Sequence, residues 1–234
     1  MNIDSVNSIN IGVFGDSIGK GIIFNSASKR YEALKINVQK ITGRNPVNIK
    51  NYSIMGCTIS KGIEVIKRQA DKLKDFQNVF LEFGGNDCDF EWNKVAANPL
   101  CDHQPKTPPE DFEKLYVQAL DFIISKGGKP IMLTLPPLSP ERYLDWIAKN
   151  NNKYSILKWL GSADTIYRWQ EMYNMKIALL AAKLSVKLID IRSAFLQNHF
   201  YRELLCADGI HPNKAGHELI YKTIIEQYTA GGQA

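Results

Sequence analysis

Short apolar segments alternate along this chain with longer segments in which apolar and charged residues recur at helical spacing. The short segments contain the β-branched and aromatic residues that favour strands, and they cover residues 9–14, 47–53, 78–83, 130–135 and 186–191. The helical segments cover residues 29–42, 60–74, 109–126, 164–184 and 213–228. This alternation predicts a parallel sheet with helices on both faces, which is a three-layer α/β/α fold.

The polarity of the five strands predicts their order in the sheet. Central strands of a parallel sheet are buried on both faces and read as continuous apolar runs, whereas edge strands tolerate polar residues. Residues 47–53 and 186–191 are the most polar of the five. Placing them at the edges gives the order 2-1-3-4-5 of a flavodoxin-like, doubly wound sheet, whose ligand crevice lies at the carboxyl ends of the strands.

The composition is that of a folded globular domain. With 234 residues, 44% of them hydrophobic, the chain is long enough for one α/β domain spanning residues 1–234. The net charge of +5 comes from 29 Lys and Arg scattered among 24 Asp and Glu without a dense basic run. Nucleic-acid binding is therefore not expected.

The sequence also predicts a cytoplasmic location without a membrane span. The first ten residues, MNIDSVNSIN, lack the basic and apolar regions of a secretion signal. No apolar run approaches the ~18 residues that a membrane span needs. The four cysteines lie far apart without a CxxC pair, which indicates reduced thiols rather than a disulfide framework or a zinc site.

Two connections are longer than a compact α/β unit needs, and we treat them as insertions at residues 88–108 and 136–163. The four tryptophans lie in the insertions or on the helix that follows them: Trp92, Trp146, Trp159 and Trp169. Their rings either pack the insertions onto the domain or form the walls of a pocket. The length of the second insertion leaves open that it closes over that pocket.

A glycine-rich turn with the sequence GDSIGKG follows the first strand at residues 15–21. A phosphate-binding Walker loop needs four residues between its first glycine and a Gly-Lys pair that precedes Ser or Thr. Here three residues separate Gly15 from Gly19, and Gly21 follows Lys20, so the pattern does not fit a phosphate. Ser17 is instead a candidate nucleophile, which requires a base and donors for an oxyanion.

Candidates for those partners follow later strands or precede the last helix. Gly56 follows the second strand, where a glycine lets the backbone approach a ligand, and Asn86 follows the third strand with an amide that can donate hydrogen bonds. Asp208 precedes His211 by three residues, a spacing at which a carboxylate can hold one ring nitrogen and fix the tautomer.

Each of these residues alone has an ordinary structural explanation, such as a helix cap or a tight turn. Together they are harder to explain in this way, because all of them fall at the carboxyl edge of the predicted sheet. Their order along the chain is nucleophile, glycine, asparagine, acid and histidine.

With these blocks the sequence resembles the SGNH hydrolases, the GDSL-type lipases and esterases. The matching blocks are GDSI at residues 15–18, Gly56, GGND at residues 84–87 and DGIH at residues 208–211, with Ile where the family typically has Leu. The resemblance implies that Ser17 is the nucleophile, His211 the general base and Asp208 the acid that orients it. It further implies an oxyanion hole formed by the Ser17 N–H, the Gly56 N–H and the Asn86 side chain.

The resemblance also implies hydrolysis of a small-molecule ester through an acyl-enzyme, without a metal or an organic cofactor. We expect Asp16, Trp92 and Trp146 to lie in the substrate pocket. A metal site formed by Cys88, Asp89 and His103 is not expected, because their spacing matches no known ligand pattern.

The substrate and the final acceptor are less constrained, because this fold and triad serve many esters. A short-chain or acetyl ester of a small or sugar-like alcohol is favoured. An acyltransferase would use the same triad with an alcohol in place of water. The alternatives without catalysis are a flavodoxin-like module that binds a nucleotide or flavin in the same crevice, and a scaffold that dimerises through the aromatic insertions.

Overall fold

The sheet has the architecture that the alternating pattern predicts. The computed structural model describes residues 9–34 and 47–230. Seven strands are defined within these residues: β1 (Ile9–Gly15), β2 (Ile22–Asn25), β3 (Arg30–Ala33), β4 (Val47–Asn51), β5 (Asn78–Glu82), β6 (Pro130–Leu133) and β7 (Lys187–Ile189). Five of them form one parallel sheet in the order β4-β1-β5-β6-β7. Counting only these five, the order is 2-1-3-4-5, and the prediction is confirmed.

Burial explains why polarity was a good guide to strand position. The central strand β5 is buried along almost its whole length, whereas β4 and β7 at the two edges each keep exposed residues. Each of these strands ends one or two residues before its predicted end, where the chain leaves the sheet.

Helices cover both faces of this sheet. Their bounds are α1 (Ile59–Arg68), α2 (Trp92–Ala97), α3 (Pro109–Ser125), α4 (Pro140–Ile147), α5 (Lys153–Leu160), α6 (Asp164–Lys183), α7 (Ile191–Leu196) and α8 (Lys214–Ala230). One core cluster joins the sheet to α1, α3 and α6 through residues such as Ile63, Tyr116 and Tyr173. A second core cluster joins the other face to α7 and α8 through Phe195 and Ile220. The fold is therefore a three-layer α/β/α sandwich. Within the described ranges, no helix combines the length and the apolar character that crossing a bilayer requires.

The helix predicted over residues 29–42 is wrong for residues 29–34, and residues 35–42 lie outside the described part of the chain. Strands β2 and β3 instead pair as an antiparallel hairpin. The turn explains the difference, because the Asn25 side chain accepts hydrogen bonds from the N–H groups of Ala27 and Ser28 at 2.9 and 3.2 Å. Lys29 follows with a φ of 54°, which a helix cannot accommodate.

The two insertions pack together against the body of the fold. The first contains α2, and the second contains α4 and α5. Their apolar side chains form a third core cluster that includes Phe90, Trp92, Leu144 and Ile156. This cluster lies beside the carboxyl ends of the strands and so builds a wall next to the crevice.

Candidate active site

The carboxyl ends of two adjacent strands bring the Ser17 and Asn86 turns together. Strands β1 and β5 are paired up to Gly15 and Glu82, and the two turns follow directly. The Ser17 turn is tight, because the Ser17 carbonyl accepts a hydrogen bond from the Ile22 N–H at 2.9 Å. The serine side chain is thereby held at the mouth of the crevice.

Ser17, His211 and Asp208 form a continuous hydrogen-bonded chain. The Ser17 Oγ lies 2.9 Å from Nε2 of His211, and Nδ1 of His211 lies 2.7 Å from Oδ2 of Asp208. All three side chains are buried, with Asp208 at 0% exposure. A carboxylate can only accept, so Nδ1 carries the proton and Nε2 is left to accept from the serine hydroxyl.

Asp208 is held in its charged form by its surroundings. Its Oδ1 accepts hydrogen bonds from the N–H groups of Ile210 and His211, each at 3.1 Å. Burial raises the pKa of this carboxyl, but the hydrogen bonds and the charge of His211 outweigh that effect, and the net pKa lies below its ordinary value. The group is therefore suited to orient an imidazole and to stabilise an imidazolium.

Three hydrogen-bond donors face the space beside Ser17. The Asn86 side-chain amide donates to Oδ2 of Asp16 at 2.7 Å, and among the described residues its second N–H has no acceptor. Within the described residues, neither the Ser17 N–H nor the Gly56 N–H donates to another group of the protein. All three residues line the same cavity. The structure thus places together the donors that the resemblance assigns to an oxyanion hole.

A buried pair of acids lies behind the serine turn. Both Asp16 and Glu82 are 1% exposed, and Oε2 of Glu82 accepts from the Gly19 N–H at 3.1 Å. Burial raises the pKa of Asp16, and burial together with the negative charge of Asp16 raises the pKa of Glu82 well above its ordinary value. Burial and the neighbouring charge thus shift Glu82 towards its neutral form, and its contact with the Gly19 N–H gives it a structural role.

Asp87 also has a structural role, which is to hold neighbouring segments together by hydrogen bonds. It accepts hydrogen bonds from the Ile59 N–H at the start of α1 and from the Thr107 hydroxyl at 2.7 Å. Burial raises its pKa to about 6. The residue fixes the loop that carries Asn86.

A cavity of about 280 Å³ opens beside Ser17. Asp16, Trp92 and Trp146 line it, and so do Phe90 and Trp169. The same rings belong to the packing of the insertions, so the two interpretations of the tryptophans do not exclude each other. Trp159 does not line the cavity, and its ring packs edge-on against Phe90, with centroids 4.9 Å apart.

The Asp89 carboxylate in the cavity wall is engaged by neighbouring side chains. Oδ1 of Asp89 accepts from Nε1 of Trp92 and from the Tyr143 hydroxyl, each at 2.8 Å. Its Oδ2 pairs with Lys106 at 2.8 Å. His103 contacts the carbonyl of Asn98 at 2.9 Å rather than Asp89. In the part of the chain that the structure covers, no three His, Cys, Asp or Glu side chains form a group that could hold a metal.

Tyr31 is a cavity residue that sequence reasoning missed. It lies on β3 of the hairpin, and its ring packs against the imidazole of His211 with centroids 5.1 Å apart. The sequence placed this residue in a helix far from the histidine. The signal that could have found it is the Asn25 turn, which pairs Tyr31 with Phe24 across the hairpin.

Comparisons with known proteins agree with this fold. The sequence matches the model of the GDSL-like lipase/acylhydrolase family over residues 13–219. No curated protein sequence gives a significant match. The lipase/acylhydrolase of Enterococcus faecalis is similar in structure, with a TM-score of 0.66 and 19% identity over 95% of this chain and 96% of that protein.

Two further solved structures share the fold. A member of the lipolytic G-D-S-L family from Veillonella parvula has a TM-score of 0.63 and 20% identity over 95% of this chain and 99% of its own. A catalytic mutant of an acetylxylan esterase from Geobacillus stearothermophilus has a TM-score of 0.60 and 16% identity over 94% of this chain and 93% of its own. At these low identities the solved structures support a shared fold only. The family model, in contrast, covers most of the sequence and shows the family. The chain therefore belongs to the GDSL-like lipase/acylhydrolase family and is an enzyme that hydrolyses ester bonds.

Proposed function

We propose that this protein is a serine esterase that cleaves carboxylic esters through an acyl-enzyme on Ser17. The observation that carries the proposal is the hydrogen-bonded chain from the Ser17 Oγ through the His211 imidazole to Asp208, with steps of 2.9 and 2.7 Å. A serine hydroxyl is a weak nucleophile until an adjacent base takes its proton, and this arrangement supplies that base.

In the first half of the reaction, the Ser17 Oγ attacks the ester carbonyl carbon while its proton passes to Nε2 of His211. The imidazolium that forms faces the Asp208 carboxylate, which stabilises it. It then returns the proton to the departing alkoxide as the carbon–oxygen bond to the alcohol breaks. The acyl group remains on Ser17.

The oxyanion of the tetrahedral intermediate needs donors that are already in place. The N–H groups of Ser17 and Gly56 and the free amide N–H of Asn86 supply them. In the second half of the reaction, His211 takes a proton from water, the hydroxide attacks the acyl carbon, and Ser17 leaves with the returned proton.

The substrate that we propose is a short-chain or acetyl ester of a small or sugar-like alcohol. The cavity of about 280 Å³ beside Ser17 is small, and apolar side chains such as Phe90, Leu138 and Leu160 are among its lining residues. An apolar pocket of this size suits a short acyl group. The likeness to an acetylxylan esterase supports an acetyl group, and the aromatic rings at the site would suit a sugar face.

The test is intact mass spectrometry after treatment with a small fluorophosphonate. We expect one adduct on Ser17 in the wild type and none in Ser17→Ala. In His211→Ala labelling is slowed by orders of magnitude. Ser53→Ala is the matched control, because Ser53 is equally buried at 5% against 7% for Ser17 and has no place in the proposed mechanism. A well-folded wild type that stays unlabelled would contradict the proposal.

Steady-state hydrolysis of p-nitrophenyl esters tests the substrate. We expect kcat/KM to be highest for acetate or butyrate and to fall for octanoate. A maximum at octanoate would overturn the short-chain assignment while leaving the nucleophile in place. Adding a sugar alcohol to the assay distinguishes hydrolysis from transfer, because an acyltransferase would form the new ester in place of the free acid.

A further inference from the structure

The β2–β3 hairpin presents two aromatic rings to the active site. Phe24 and Tyr31 are directly opposite each other in the hairpin, so their side chains lie on the same face. The Phe24 ring packs edge-on against Trp146 with centroids 4.5 Å apart, and the Tyr31 ring packs against His211 with centroids 5.1 Å apart. One hairpin face therefore contacts both the second insertion and the proposed base.

The hairpin is fixed to the elements that carry the proposed triad. The Phe24 N–H donates to Sγ of Cys206, two residues before Asp208, at 3.3 Å. Nε2 of His217 on α8 lies 3.1 Å from the Ile22 carbonyl. Burial lowers the pKa of His217 to about 4, so this ring is neutral and donates that hydrogen bond. These two bonds hold β2, and with it the paired strand that carries Tyr31, near Asp208 and His211.

Tyr31 is also close to the acid of the triad. Its ring packs near Trp146, with centroids 6.3 Å apart, and against His211, the residue that contacts Asp208. Burial, followed by the negative charge of Asp208, raises the pKa of Tyr31, so the phenol keeps its proton at any working pH. The ring next to His211 is therefore a neutral aromatic surface.

We propose that Tyr31 is a positioning residue for His211: its ring holds the imidazole in line between Ser17 and Asp208 and favours the imidazolium that forms during the reaction. The role rests on the proposed function, because it needs His211 to act as the base. The hydrogen bonds to Asp208 and Ser17 fix the two ring nitrogens, whereas Tyr31 packs against the imidazole ring itself, with the two rings tilted by 57°. An aromatic ring against a desolvated cation attracts it through the ring quadrupole.

Other charges also face His211 and must be held constant in a test. Asp208 lies on its own turn, Asp16 lies at the end of β1, and His217 lies on α8. None of these residues is changed when Tyr31 is replaced. A change in proton uptake by the base can then be assigned to the lost ring.

The experiment compares Tyr31→Leu, Tyr31→Phe and Phe24→Leu with the wild type. Each variant is assayed with p-nitrophenyl acetate for kcat, KM and the pH dependence of kcat/KM. For Tyr31→Leu we expect kcat to fall about tenfold, and the acidic limb of the profile to move to lower pH, because the imidazolium has lost its aromatic neighbour. Tyr31→Phe keeps the ring, so its kcat should stay within about twofold of the wild type. The acidic limb of its pH profile should lie at the wild-type pH.

Phe24→Leu is the matched control, because it removes an aromatic ring from the same hairpin face but not the one against His211. We expect a lower melting temperature with a wild-type acidic limb. If Phe24→Leu reproduces the shift, hairpin packing rather than Tyr31 is responsible and the proposal fails. It also fails if Tyr31→Leu changes only KM, which is the result for a simple wall of the cavity.

The same samples are treated with the fluorophosphonate, which separates the two proposals. A wild type labelled on Ser17, together with a Tyr31→Leu profile like that of the wild type, overturns the role of Tyr31 alone. A wild type that hydrolyses the ester without labelling on Ser17 overturns the proposed function.

Discussion

The Asn86 amide donates to Oδ2 of Asp16 at 2.7 Å, which links the residue before the proposed nucleophile to a proposed oxyanion donor. The other oxygen of Asp16 accepts from the Ile18 N–H at 2.8 Å. One buried carboxylate therefore holds both the serine turn and the orientation of the amide. Since one Asn86 N–H is committed to Asp16, the other is directed away from it, as preorganised stabilisation of an oxyanion requires.

Asn86→Ala should lower kcat by about 10²–10³-fold, as the loss of one preorganised oxyanion donor does, with a smaller change in KM. Asp16→Asn should also lower kcat, because an amide has one acceptor oxygen where the carboxylate uses two. Steady-state kinetics with p-nitrophenyl acetate measure both effects. Asn48→Ala is the control, since Asn48 also donates to a side chain of β1, that of Asn10 at 3.0 Å, but at the far end of the strand. Equal losses in Asn48→Ala and Asn86→Ala would argue against a specific role.

Asp208→Asn should lower kcat by about 10³–10⁴-fold. The amide can donate to Nδ1 of His211, which places the imidazole proton on Nε2 and leaves no acceptor for the Ser17 proton. Labelling of Ser17 by the fluorophosphonate should slow in parallel. Asp190→Asn is a suitable control. Asp190 also accepts a backbone hydrogen bond, from the Ser193 N–H at 3.0 Å, but it caps α7 and does not orient His211. Retention of more than about a tenth of the wild-type kcat in Asp208→Asn would contradict the assigned role.

The sheet could be predicted because its signals are local and repeated. Each buried strand is a continuous apolar run, and the polar runs fall at the edges. The blocks around Ser17, Asn86 and His211 could be located because parallel strands bring their carboxyl ends to one edge whatever the length of the intervening helices. The catalytic roles of these residues and the cytoplasmic location stay predictions.

The hairpin and its tyrosine could not be predicted in the same way. Strands β2 and β3 have four residues each, which is too short for a period of two to be told from a helical pattern. The contact between Tyr31 and His211 joins residues 180 positions apart and depends on how the hairpin docks on Cys206. The Asp16–Glu82 pair was likewise hidden, since nothing in the sequence fixes which acids share a buried site.

Two glycines with the same backbone conformation should respond differently to alanine. Gly56 and Gly209 have φ of 76° and 78°. A Cβ on Gly56 would meet no atom within 4 Å, whereas one on Gly209 would lie 2.8 Å from the Ser139 carbonyl oxygen and 2.8 Å from the Tyr143 nitrogen at the start of α4. Gly56→Ala should therefore cost only the backbone strain, about 1–2 kcal/mol.

Gly209→Ala adds a clash with backbone that cannot move cheaply, so its melting temperature should fall several times further than that of Gly56→Ala. Thermal unfolding followed by circular dichroism makes the comparison. Since Gly209 follows Asp208, the displaced turn should also slow fluorophosphonate labelling of Ser17. Equal melting temperatures for the two variants would mean that the backbone at the start of α4 shifts to accommodate the new methyl group at little cost.

Glu82 should make the protein less stable as the pH rises. Its pKa in the folded state lies well above the ordinary value of 4.5, and that of Asp16 is also raised. Between the ordinary and the raised pKa, the folded chain binds a proton that the unfolded chain has released, so the free energy of unfolding falls with increasing pH. The slope reaches about 1.4 kcal/mol per pH unit for one such group.

Glu82→Gln should remove this dependence, because glutamine is neutral at every pH and has the shape of the protonated acid. Its oxygen can still accept from the Gly19 N–H, and its amide can donate to Asp16. Melting temperatures are measured from pH 5 to pH 8. The melting temperature of the variant should therefore increase relative to that of the wild type as the pH rises. Glu64→Gln is the control, because it makes the same substitution at a side chain that is 68% exposed. A constant difference for Glu82→Gln would mean that Glu82 is already ionised in the folded protein at pH 5.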